Sequence, residues 1–397
     1  MGKKIFYSGD ILLPKKDFEN WAVIACDQYT SEPEYWKETE AATQNKPSAY
    51  NIILPEAYLS ADNSLRIAKI NEKMQEYLEM DVFNCYENSI IYTERTLNNG
   101  KIRKGLVGLI DLEDYSYVKG ANTLIRSTEE TVTSRIPPRV EIRKDAPLEI
   151  PHVMLLIDDS KNTVIEPLSD KCNSFDKVYD FTLMQNAGEI KGYLLDQYTI
   201  ADVQNKLNDL SKSNSDGFLF AVGDGNHSLA TAKECYKQGN GSRYALVEVV
   251  NIHDSSLEFE PIYRVLFGCE PNKVIEDLLT ASGGEYDGED AQVFKCVYGA
   301  NKRKISIKPT GKLSVATLQN FLDEYLRTNT QIEIDYIHGT DSVYNLCKKD
   351  NTLGFIFNGM EKSELFSAVA SDGSLPRKTF SMGLADDKRF YLEARKL

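Results

Sequence analysis

The chain has 397 residues, 42% of them hydrophobic and 27% charged, with a formal net charge of −14. That length predicts two or three domains, and the acidic balance argues against a general nucleic-acid binder, which needs a basic face to displace counterions, while leaving room for a local basic patch. Seven cysteines, scattered and never in a C-x-x-C pair, predict reduced thiols and no zinc framework. With no secretory apolar region at the start and no run of about 18 apolar residues, a cytoplasmic protein without a membrane span is expected.

In chain order, Trp21–Ala25 reads as a strand emptying into the polar loop CDQYTSEPEYW. From Ser60 to Met80, Ile67, Ile70, Met74 and Leu78 recur at helical spacing opposite a charged face, which predicts an amphipathic helix. SIIYTERTL and KIRKGLVGLIDLEDY flank Asn99-Gly100, the dipeptide of a tight hairpin turn. His152–Ile157 is a predicted strand, with a turn over Asp158–Asn162 leading to a partner strand. KVYDFTLM and RYALVEVVNI are further strands, and Thr199–Leu210 is a helix.

After Phe267 the pattern changes to a helix and a Gly-rich acidic connection over 268–290. Strands at Phe294–Tyr298 and Lys304–Lys308, a helix at Val315–Leu326 and a last strand at Arg389–Arg395 follow. Irregular alternation with frequent hairpins predicts an α+β fold on a mixed sheet. The expected domains are a core over 1–267, with N-terminal elaborations, and a smaller C-terminal α+β region over 268–397.

The chemistry concentrates in FLFAVGDGNHSLATAKECY, where apolar Phe218–Val222 runs into Gly-Asp-Gly-Asn-His and then an alanine-rich helix. Backbone N–H groups at a helix start have no intrahelical partner and carry partial positive charge. Gly223 and Gly225 let the main chain approach an anion. Ser228 is expected to cap the helix or touch a phosphate oxygen. His227 adds a donor able to become cationic, and Asp224 can hold a metal ion, a ribose or a substrate hydroxyl. The spacing is neither a Walker loop nor a dinucleotide fingerprint. Asp and Asn also favour turns for local reasons.

Gly223 to Ala232 resembles the D-G-H-H-R-x-x-A-A signature of the domain-of-unknown-function family 1015, itself similar to the phosphate box of the ParB/sulfiredoxin superfamily. WAVIACDQYTSEPEYW, IRSTEET, FEPIYRVL and LPRKTFSMG are similar, in the same order, to that family's other motifs. The resemblance implies a ParB/sulfiredoxin-like core and nucleotide chemistry, since the superfamily includes partition proteins, ATP-using sulfiredoxins and a kinase acting on free serine. Two positions depart from it. The signature's arginine is Ser228 and its first histidine is Asn226, so a bidentate guanidinium is missing and sulfiredoxin's cysteine chemistry is excluded.

Phosphoryl transfer needs a base, charge neutralisation and usually a divalent metal. The loop offers Asp27 or Glu32 as base, a choice the superfamily kinase's N-terminal glutamate supports. Arg126 and Lys378, the latter beside Thr379, lie in family-like motifs and are the expected cations, Arg126 replacing the guanidinium missing at Ser228. Glu129 pairs with Arg126 or, with Asp224, binds Mg²⁺. His152, His253 and His338 are read as structural or exposed.

The preferred function is an ATP- or ADP-dependent kinase of a small hydroxylated metabolite, free serine first. The alternative is a regulatory module that binds a nucleotide or phosphorylated metabolite without turnover. DNA partition is disfavoured by charge and by the lack of a helix-turn-helix. Oligomeric state stays open.

Overall fold

The structure, a computed structural model, describes residues 4–60, 62–214, 216–289 and 292–397. Met1–Lys3, Ala61 in the expected first helix and Asp290 in the expected acidic connection lie outside the described residues. The chain divides into two units: residues 1–257 together with 383–397, and residues 258–382. Gly268, where the composition changes, directly follows a strand of the second unit, Phe259–Phe267.

The first unit is built on a nine-stranded mixed sheet. Its order is Asp176–Thr182, Glu189–Leu194, Ile91–Thr96, Ile102–Asp111, Tyr244–Asn251, Met154–Ile157, Phe220–Asp224, Ile125–Ser127 and Tyr115–Ser116. The Asn99-Gly100 hairpin forms as expected, with Gly100 at φ 78° and its N–H donating to Leu97 O at 2.9 Å. Three pairings are parallel: 220–224 with 125–127, 244–251 with 154–157, and 115–116 with 125–127.

The two-residue period of a strand divides the core between the two sheet faces. Leu106, Ile110, Val247 and Val249 join Ile200, Val203 and Leu207 of the helix Gln197–Ser213 on one side. Val107, Leu109 and Leu246 join Trp21, Trp36, Ile70, Met74 and Tyr77 on the other. The amphipathic helix spans Ser64–Glu79, and Tyr77 is buried where Leu78 was expected to be.

Several expectations are corrected. Trp21–Ala25 is not one strand: a single helical turn, Phe18–Trp21, precedes a two-residue strand, Val23–Ile24. The turn after Asp158 leads into a 3-10 segment, Glu166–Ser174, instead of a partner strand. The last strand breaks into Phe390–Tyr391, paired with Val23–Ile24, and Arg395–Lys396, paired with Leu148–Glu149.

That break follows from the buried charges of the C-terminal segment. Arg389 bonds Glu248 at 2.8 Å and Glu393 at 2.6 Å and donates to the Pro151 carbonyl. Arg395 bonds Glu149 at 2.7 Å. Each buried ion thereby finds the partners its desolvation requires.

The second unit is an antiparallel sheet of order Glu285–Tyr286, Asn301–Ile307, Gln292–Tyr298, Thr352–Phe357, Phe259–Phe267 and Glu333–His338. Phe380–Met382 pairs with Phe259–Pro261. Helices Pro271–Ser282 and Ser314–Thr328 also belong to this unit. No helix among the described residues is long and apolar enough to cross a membrane.

Candidate functional site

The strand Phe220–Asp224 delivers the joint. Its register against Met154–Ile157 shifts between Val222 and Asp224, leaving Gly223 as the extra residue of a bulge. A bulge re-aims the side chain that follows it, here Asp224. Gly225 then takes a left-handed conformation, φ 82°, as N-cap of the helix Asn226–Lys237. A Cβ at Gly225 would stand 3.0 Å from Val153 Cα and 3.5 Å from His152 Cδ2. Glycine is required there by both conformation and space.

Ser228 is the third helical residue, and the cap has no side-chain hydrogen bond, so Ser228 does not cap the helix. The Gly225 N–H is taken by Asp224 Oδ1 at 2.9 Å. Leu229 N–H closes the first helical turn on Gly225 O at 2.9 Å. Among the described residues no acceptor engages the N–H groups of Asn226, His227 or Ser228. Those residues are half-buried, and the buried Asn226 Oδ1 has no donor.

His227 is not a cation. Burial, reinforced by Arg139 and Arg135, lowers its imidazole to about 4 against a weaker opposing pull from Asp27. Its Nε2 accepts the Val132 N–H at 3.3 Å, which leaves the proton on Nδ1. The two arginines stand near because the helix Ile136–Arg143 packs Ile136 and Val140 against Ala230 and Cys235. Arg139 is itself paired with Glu56, whose N–H holds the Cys26 carbonyl at 2.7 Å. That chain of contacts braces the loop carrying Asp27.

Asp27 is the acidic residue the loop brings into this cluster. Burial pushes its carboxyl up, but His152, a hydrogen bond from Gln28 at 3.0 Å and Lys388 together hold it below the ordinary aspartate value. Glu32 is exposed and N-caps the helix Pro33–Thr43, with Pro33 in the first turn. Lys388 Nζ lies 3.5 Å from Asp224 Oδ2, with side chains only 16% and 20% exposed. The adjacent Cys26 thiol is pushed up to about 12, chiefly by burial, and is no nucleophile at neutral pH.

His152, read from sequence as structural, belongs here. Its Nδ1 meets Tyr391 Oη at 2.8 Å, and that hydroxyl also accepts the Cys26 N–H at 3.3 Å. Sequence reasoning missed His152, Arg139, Lys388 and Tyr391, and none sits at motif spacing from the joint. The available signal was the charge density of DDKRFYLEARK, which mixes two lysines and two arginines with aromatic and apolar residues.

Arg126 does not reach the joint. Arg126 is buried, forms an ion pair with Asp216 at 2.9 Å, donates to Asn122 at 2.6 Å and to Thr123 O at 3.0 Å, and stacks on Phe218. Those partners precede the strand, whereas the joint is at its other end, so Arg126 does not supply the guanidinium missing at Ser228. Its neighbour Thr128 instead ties IRSTEET to Val222 O at 2.7 Å.

Glu129 is half-buried. Among the described residues no three His, Cys, Asp or Glu side chains gather to hold a metal. Lys378 and Thr379 belong to the second unit. There Arg264, fully buried, holds the carbonyls of Arg377 and Lys378 at 3.1 and 2.8 Å, and Thr379 Oγ1 donates to Pro376 O at 2.7 Å. Lys378 is exposed, with φ 57°.

A family model described as protein of unknown function (DUF1015) matches residues 9–396. No curated protein matches the sequence. Among solved structures, a mutant of free serine kinase in complex with AMP aligns with a TM-score of 0.43 and 14% identity, over 74% of this chain and 92% of that one. A conserved hypothetical protein from Pyrococcus furiosus aligns with a TM-score of 0.39 and 15% identity, over 71% and 92%. A C-terminally truncated SbnI from Staphylococcus aureus aligns with a TM-score of 0.38 and 10% identity, over 70% and 82%. Likeness of this depth says nothing of what this chain binds.

Proposed function

The chain belongs to the DUF1015 family, and from its site we propose a nucleotide-dependent phosphotransferase acting on a small hydroxylated metabolite, with free serine as the first substrate to try. Kinship of the joint with the ParB/sulfiredoxin-like phosphate box is part of this proposal. The observation that carries it is an ionised carboxylate, Asp27, held below its usual range within the electrostatic reach of His227, which stands at a helix start whose first three N–H groups have no acceptor among the described residues.

In this reading the amides of Asn226 to Ser228 receive phosphate oxygens, because unpaired first-turn N–H groups favour anions. Asp27 accepts the proton of the attacking hydroxyl, and its placement near the cluster prefers it to Glu32. Neutral His227 orients through Nδ1–H. Asp224 would be the residue to hold a magnesium ion brought in with ATP or ADP, which would supply charge neutralisation to the phosphates, since magnesium commonly keeps one or two protein carboxylates and several waters.

Calorimetry with ATP, ADP, CTP and GTP, with and without Mg²⁺, tests the binding half. Phosphoserine formation from serine tests the transfer half. Absence of heat with every nucleotide overturns the proposal. A second reading, a binding module without turnover, is favoured by the neutrality of His227 and the engagement of Arg126 elsewhere, which leave less positive charge for a transition state. Nucleotide occupancy with no transfer selects that reading.

A further inference from the structure

A dianionic phosphoryl group at this joint needs a full positive charge as well as amide dipoles. The neighbouring cations are differently engaged. His227 is neutral, Arg126 is bonded at the far end of the strand, and Arg139 is paired with Glu56. Arg135, the other arginine near His227, is exposed; Lys388 is largely buried and only loosely engaged, its ammonium standing 3.5 Å from Asp224 Oδ2, beyond the length of a tight charge-assisted bond, and acting on Asp27 at longer range.

Its backbone is fixed, while its ammonium has a single long ion pair. Arg95 and Arg103 clasp the carbonyls of Asp386, Asp387 and Lys388 from the sheet, and the Arg389 carbonyl takes the Ala25 N–H at 3.0 Å. A four-carbon stem on a clamped backbone can move its charge by a rotamer change without moving the fold.

We propose that Lys388 is the exchangeable cation of this site: it neutralises Asp224 and Asp27 when the site is empty, and transfers to a phosphoryl oxygen when a polyphosphate binds. The proposal rests on the phosphate-binding reading of the joint. The exchange leaves Asp224 free for the magnesium that accompanies the polyphosphate, so the lysine and the metal trade places around one carboxylate. No bond is made or broken. Asp224 thus penalises a metal-free polyphosphate twice, by repulsion and by retaining Lys388, and the ligand class selected is the Mg²⁺ complex.

The test titrates pyrophosphate, ADP and adenosine into the full chain and into Lys388→Met, Lys388→Arg and Asp224→Asn. Loss of one charge-assisted contact predicts about tenfold or more weaker binding of pyrophosphate and ADP to Lys388→Met, with adenosine unchanged and Lys388→Arg retaining most of the affinity. Asp224→Asn, which releases the lysine, is expected to bind metal-free pyrophosphate more tightly than the unmodified chain and to lose the gain from Mg²⁺. If Lys388→Met binds ADP as well as the unmodified chain, the assignment of Lys388 is wrong while the phosphate site stands. If the unmodified chain binds neither pyrophosphate nor ADP, the phosphate site itself falls. Should Lys388→Met not fold, Asp224→Asn decides alone, and metal-free binding that is unchanged or weaker overturns the exchange.

Discussion

The phenol of Tyr391 meets Nδ1 of His152 at 2.8 Å, joining two residues 239 positions apart in sequence. The rings cross edge to face, with centroids 5.4 Å apart. The contact fixes an imidazole that in turn draws the Asp27 carboxyl down.

Tyr391→Phe keeps the ring packing and removes the hydroxyl. The orientation of His152 is then unsecured, and its hold on Asp27 weakens. The Asp27 carboxyl is expected to titrate at higher pH in Tyr391→Phe, and higher still in His152→Ala. Carbon-detected NMR of labelled aspartate follows this directly, and an unchanged Asp27 titration in both variants would contradict it.

Gly225→Ala places a Cβ 3.0 Å from the Val153 main chain in a left-handed conformation. The conformation alone disfavours a side chain by about 1–2 kcal/mol, and Val153 Cα has no freedom to yield. The variant should show a lower unfolding midpoint in urea and weakened pyrophosphate binding. Retention of both would mean that the joint tolerates rearrangement.

His227 links stability to pH. Its folded value, about 4, is below the ordinary 6.5, so the unfolded chain binds more protons between those limits. The contribution to stability is complete above about pH 6.5 and lost as pH falls towards 4. His227→Asn should flatten the melting temperature across that window relative to the unmodified chain. Parallel curves for the two proteins would remove His227 from the account.

Glu248 lies on the Leu246 side of the sheet, bonded to Arg389, with Arg103 and Arg95 within electrostatic reach. Burial raises its carboxyl, but the arginines outweigh that and bring it below the ordinary glutamate value. Its stabilising contribution is therefore present above the unfolded glutamate value and lost as pH falls through the depressed one. Glu248→Gln leaves buried guanidinium groups uncompensated and should destabilise the protein by about 3 kcal/mol or more. Chemical denaturation at neutral pH measures it, and a loss under about 1 kcal/mol would show that the arginines find other partners.

Local rules carried far along this sequence. The Asn99-Gly100 turn, the helix around Ile70 and Met74, and the strand-to-helix joint at Gly225 each follow from a few neighbouring residues, and each is present. Errors arose where distant residues decide. Arg389–Arg395 has strand-like alternation, but its arginines answer to Glu248 and Glu149, and those bonds divide the segment.

His152 had no metal-binding spacing, and its partner Tyr391 is reached only through the fold. The motif points Arg126 to the joint. Yet it sits on the strand Ile125–Ser127 opposite Ala221, with its guanidinium turned to Asn122 and Asp216.

The first unit is discontinuous, closing with residues 383–397 after the whole of 258–382 has been made. Synthesis runs from the amino end, so the glycine joint and the Asp27 loop leave the ribosome long before Lys388 and Tyr391. A nascent chain stalled anywhere in the second unit holds Asp224 without Lys388 and the imidazole of His152 without the phenol of Tyr391. The contacts around Asp224 and His152 therefore form only after the second unit has been synthesised.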